Sequence, residues 1–109
     1  MLEKIAAEMK ARAIASKLDV KNGVFPSVED SIRQVAVGDT LCKLMLTCDI
    51  YPEKGELWHL SFSTIPYGTV PEELADRIKK AFFGEAEVIN FPSFLHGNKM
   101  KQYLARVSL

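Results

Sequence analysis

Apolar residues change their spacing along this chain from a helical rhythm to an alternating one, and then make the same change again. From Leu2 to Leu18 they recur at helical intervals among Glu3, Lys4, Glu8, Lys10 and Arg12, in a stretch rich in Ala and straight-chain residues. That pattern predicts a helix, ended by the breakers Asn22-Gly23 and Pro26 in the loop from Asp19 to Pro26. The helix carries two apolar stripes. At about 3.6 residues per turn, Leu2, Ile5, Ala6, Met9 and Ala13 fall on one side, and Ala7, Ala11, Ile14 and Leu18 on the other. A sheet face covers only one stripe, so the second is expected to meet another surface, a symmetric dimer being the commonest solution.

Val28 to Val37 fits two periods. Val28, Ile32, Val35 and Ala36 suit a helix capped by Ser27 and closed by Gly38, whereas the β-branched content suits a strand. Gly38-Asp39 favours the strand, because a two-residue Gly-Asp between apolar runs signals a hairpin turn. Thr40 to Ile50 then alternates, Pro52-Glu53-Lys54-Gly55 turns the chain, and Glu56 to Thr64 alternates back. Cys42, Leu44, Leu46 and Cys48 share one face of the first strand of this hairpin, and Trp58, Leu60 and Phe62 share one face of the second. Those faces are expected to form the core side. The opposite side, with Leu57, His59, Ser61 and Ser63, is expected to be wet or partner-facing, with Thr47, Met45 and Lys43 across from His59, Ser61 and Ser63, and Asp49 nearby.

After Ile65 to Gly68, a second helix is expected from a Thr69 cap, with Pro71 in its first turn, to about Phe83. Leu74, Ile78, Ala81 and Phe82 make its apolar face, Glu73 with Arg77 and Asp76 with Lys80 make ion pairs on the other, and Gly84 ends it. Glu87 to Phe91 is expected as a short strand, Pro92 to Asn98 as a loop, and Met100 to Val107 as a last strand. The order α-β-β-β-α-β-β predicts an α+β fold, two helices packed on a mostly antiparallel sheet, with residues 1–109 as a single domain.

Charge narrows the partners. Fourteen Lys and Arg balance fourteen Asp and Glu, so the broad positive field that draws proteins to nucleic acids or anionic membranes is missing. A nucleic-acid adaptor would have to rely on Lys99, Lys101 and Tyr103 near the C-terminus, a weak set that makes nucleic acid an unfavoured partner. No apolar run approaches the roughly 18 residues of a membrane span. Two cysteines, no Asn-x-Ser/Thr site and no signal-peptide pattern point to a reducing, cytoplasmic setting.

Candidate chemistry is sparse. Cys42 and Cys48 would lie about 20 Å apart on one extended strand, too far to share a metal or a disulfide, and are expected to be reduced, buried thiols. A metal site and a cofactor are therefore not expected, and no phosphate-binding glycine motif occurs. His59 with Ser61, Ser63 and Asp49 has the residue types of a hydrolytic site, but neighbours on a flat strand face offer no oxyanion hole. Two apolar loops, one holding Tyr67 and the other His96, would frame a ligand pocket with His59 if they converge. The leading expectation is a non-enzymatic protein-interaction module, binding a protein partner or itself through the face around His59 or through the first helix. The alternatives are a small ligand-binding domain or enzyme using His59, Tyr67 and His96, and, third, the nucleic-acid adaptor.

Overall fold

The computed structural model describes residues 1–23, 28–51, 55–66, 68–91 and 101–107. Helix α1 (Leu2–Lys21) leads through a 3₁₀ turn (Val28–Ser31) into strands β1 (Ile32–Val37), β2 (Thr40–Tyr51) and β3 (Gly55–Thr64). Helix α2 (Glu72–Phe83) follows, then β4 (Val88–Phe91) and β5 (Lys101–Val107). The order is the α-β-β-β-α-β-β mix of the alternation pattern, and the five strands form one antiparallel sheet in the order β1-β2-β3-β5-β4.

Local chemistry sets the boundaries, and in several places moves them. Helix α1 runs past Leu18, because Asp19, Val20 and Lys21 all tolerate helical backbone; the chain leaves it at Asn22-Gly23, where Gly23 takes φ 85°, a conformation open to glycine at little cost. The segment from Val28 is a strand only from Ile32 onward, its first four residues forming the 3₁₀ turn. Gly38 has φ 62° in the β1–β2 hairpin, where Val37 pairs with Thr40. The turn expected at Pro52-Glu53-Lys54 and the loop expected at Pro92 to Asn98 lie outside the described residues. Helix α2 is capped by Pro71 rather than Thr69 and has no side-chain cap: Pro71, extended at ψ 145°, offers its carbonyl to the Ala75 N–H at 2.9 Å. Its far end matches the glycine stop, Gly84 taking φ 58° and donating its N–H to the Lys80 carbonyl at 2.9 Å. Asp76 meets Lys79 at 3.6 Å, one residue short of the expected Lys80 pairing.

The core lies between the helices and one face of the sheet. Cys42, Leu44, Leu46 and Cys48 of β2 and Trp58, Leu60 and Phe62 of β3 are all buried there, with Val35, Val37 and Tyr103. Against them pack Ala6 and Met9 of α1, Val70, and Ala75, Ile78, Phe82 and Phe83 of α2. Both helices sit on this face. Glu8 of α1 accepts a hydrogen bond from Arg33, which the register aligns with Leu44, and Lys79 of α2 places its ammonium 5.8 Å from the centre of the Tyr103 ring, aligned with Leu60. No helix among the described residues is long and apolar enough to cross a membrane.

Candidate functional site

Because side chains alternate across a pleated strand, every residue that does not point at the helices points to the sheet's second face. The register fills that face in rows. Ile32, Met45, Ser61 and Gln102 align in one row that ends at Phe91; Thr47, His59, Leu104 and Ile89 form the next. Lys43 aligns with Ser63 on one side of these rows, and Asp49, Leu57 and Arg106 align on the other. The cross-strand neighbours expected from alternation, Thr47 with His59, Met45 with Ser61 and Lys43 with Ser63, are those observed.

One expectation about this face is corrected. Ser61 and Ser63 are not wet: only 2% and 3% of their surfaces are exposed. They sit on β3, the middle strand of five, where the neighbours across β2, Met45 beside Ser61 and Lys43 beside Ser63, have longer side chains than serine. Among the described residues no buried side-chain nitrogen or oxygen lacks a hydrogen-bond partner, which leaves no orphaned group awaiting a ligand. Leu57 and His59, in the first half of β3, are half-buried. Along its own middle strand, the face is thus more open to solvent at Leu57 and His59 than at Ser61 and Ser63.

The apolar content of the second face includes Leu57 and Met45, which alternation placed there, but its two exposed members, Ile89 and Leu41, are residues that sequence reasoning did not single out. Ile89 is 61% exposed on the short strand β4, Leu41 is 41% exposed beside the β1–β2 turn, and Ile32, Met45 and Leu57 are half-buried. Val88 packs against the core, so alternation turns Ile89 away from it. Lys43 and Thr47 are exposed between these apolar positions.

The other candidates separate. Tyr67 and His96 lie outside the described residues. Gly68, next to Tyr67, pairs with Thr64, whose N–H donates to the Gly68 carbonyl at 3.0 Å; that point is about 17 Å along β3 from His59. Tyr103 leaves the nucleic-acid set, since it is 4% exposed and its ring stacks on Phe62 at 5.5 Å between centroids. Lys99 is outside the described residues. On α1, Ala7 and Ala11 are exposed, but Ile14 is half-buried and packs on the core. The reason is that α1 lies against both β2 and α2, a cradle wide enough to reach a residue on the helix flank. The side chain of Leu18 is outside the described part of the structure.

The cysteines are buried and unbridged, and burial pushes the Cys42 thiol above the ordinary thiol value. Glu8 is held below the usual carboxylate range by its hydrogen bond from Arg33. Among the described residues no three of His, Cys, Asp and Glu are grouped to hold a metal ion. Neither a known protein family, a curated protein nor a solved structure matches the chain.

Proposed function

We propose that the protein is a non-enzymatic interaction module, working in a reducing cytoplasm, that docks a protein partner on the second face of its sheet. The observation that carries this is Ile89, a large aliphatic side chain left 61% exposed on a face that also holds half-buried Ile32, Met45 and Leu57. A scattered exposed apolar residue needs no explanation, but several sharing one side of a rigid sheet mark a surface built to be covered. The polar residues between them, Lys43 and Thr47, would supply the register of docking and His59 its centre. Helix α1 contributes less than its pattern promised, because Ile14 is spent on the core and the exposed remainder of the described stripe is alanine.

A photo-crosslinking amino acid placed at position 45 or 89, and as a control at position 73 on the outer side of α2, tests the assignment in cells expressing the chain. Discrete protein adducts at 45 and 89, absent at 73, are expected. Adducts at 73 alone, or none at any position, would refute the docking face.

A further inference from the structure

We infer that helix α1 is a hinged cover that opens as one unit off β2 while the sheet and α2 stay folded, and so controls access to the Cys42 thiol and the apolar strip beside it. This concerns the helix side of the sheet and stands apart from the docking face.

The two helices grip that side unequally. Helix α2, 12 residues long, buries Ala75, Ile78, Phe82 and Phe83. Helix α1 has 20 residues, yet among its described side chains only Ala6 and Met9 are buried, while Leu2, Ile5, Ala13 and Ile14 are partly covered. Apolar burial is the main source of a helix's hold on a fold, and α1 has less of it over more backbone. Its polar ties add little. Glu8 and Arg33, which join it to β1, are both exposed, and Lys10 reaches the Phe83 ring of α2 at 5.8 Å; such pairs are weak in water. The exit of α1 supplies the hinge. Asn22 and Gly23 are exposed, Gly23 takes φ 85°, and a Cβ added there would meet nothing within 4 Å. The five strands pair with one another, so α1 can leave without breaking a ladder.

Beneath the helix lies β2. Helix α1 packs on this strand, and the Glu8–Arg33 contact sets it at the row of Leu44, which the register aligns with Arg33. Cys42 and Leu46 flank Leu44 on the same face, and all three are at most 2% exposed. The closed helix seals them, and the open one gives them to solvent. Elements with few buried contacts are those that open at less cost than the whole fold.

Hydrogen exchange of the full chain in the native state, resolved by mass spectrometry through a series of low urea concentrations, measures this opening. Freed of its seat, α1 frays in water, so its amides exchange whenever it opens. They are expected to exchange together, at least about tenfold faster than those of β3 and with little dependence on urea, whereas exchange in β3 rises steeply with urea. Cys42, alkylated in the native protein, labels in step with α1. Met9→Ala speeds α1 exchange and Cys42 labelling at least about tenfold. Tyr103→Leu, at the α2 side of the core where the ring meets Phe62 and Lys79, speeds exchange in β3 and leaves that of α1 unchanged. The inference is overturned if α1 shares the urea dependence of β3, if Tyr103→Leu speeds α1 as much as β3, or if Cys42 labelling follows β3 instead of α1. Should a variant fail to fold, the urea series and Cys42 labelling on the unaltered chain decide by the same criteria.

Discussion

The two faces of the sheet are built from the same strands, alternate residues going to each, and yet they differ in how burial is achieved. On the helix side, residues are buried because something lies on them: Leu44, Leu60 and Phe62 meet Ile78, Phe82, Ala6 and Met9. On the second side, Ser61 and Ser63 are as buried as the core while Ile89 is mostly exposed. There burial does not follow hydrophobicity: two serines are buried, Leu57 and Ile32 are half-buried, and an isoleucine is left out.

The largest contrast between the faces lies in two neighbours. Trp58 is 3% exposed against the core and donates its indole N–H to Glu56 at 2.9 Å, so Trp58→Ala is expected to cost about 3–5 kcal/mol in urea unfolding. His59→Ala, one residue on and facing the other way, is expected to cost under about 1 kcal/mol. Equal costs would mean that the second face is packed as tightly as the first.

The thiols come next. Cys42 is wholly buried among apolar groups, so Cys42→Ser, which adds a hydroxyl there, is expected to cost about 1–3 kcal/mol. Both thiols should react slowly with an alkylating reagent until denaturant is added. Because the folded pKa of Cys42 is raised, its contribution is intact below the ordinary thiol value of about 8.5 and is lost as pH climbs through the folded value, so alkaline unfolding should come later in Cys42→Ala. Rapid native labelling of Cys42 would place it away from the core.

A smaller effect is expected on the outer face, where Ile89→Lys should change stability by no more than about 0.5 kcal/mol while removing any partner held there. A loss comparable to that of Trp58→Ala would show that Ile89 is already covered within the chain. Weakest is the exposed pair of Glu8 and Arg33. The folded pKa of Glu8 is depressed, so its contribution is complete above the ordinary carboxylate value and fades as pH falls through the folded one. The Glu8 titration, followed by NMR, should move back toward the ordinary value in Arg33→Ala.

Sequence patterning carried the fold far because most of its information is local. Alternation in Thr40 to Ile50 and Glu56 to Thr64 determined facing, facing determined register, and register brought Thr47 to His59. Glycines at 38 and 84 announced a turn and a helix end through their φ requirement. What depended on distant packing was not legible. The burial of Ser61 and Ser63 depends on what surrounds the central strand, and that of Ile14 on how α1 lies against β2 and α2. The cap of α2 shows the same limit at short range: Thr69 and Pro71 both suit a helix start, and the backbone settles on the proline. The second face was legible in outline at His59, while its most exposed apolar member, Ile89, sits on a strand too short to display alternation.

The strand order has a consequence during synthesis. Strand β3 is central only because β5 pairs along its open side, from Glu56 with Val107 to Phe62 with Lys101, and β5 follows α2 and β4 in the chain. Until β5 leaves the ribosome, the β1–β2–β3 meander presents β3 as a bare edge, with unpaired backbone groups running beside Trp58, Leu60 and Phe62. An edge of that composition invites pairing with other nascent chains. The closing strand thus also acts as a guard, and chains interrupted before Lys101 would be released with their most adhesive strand unprotected.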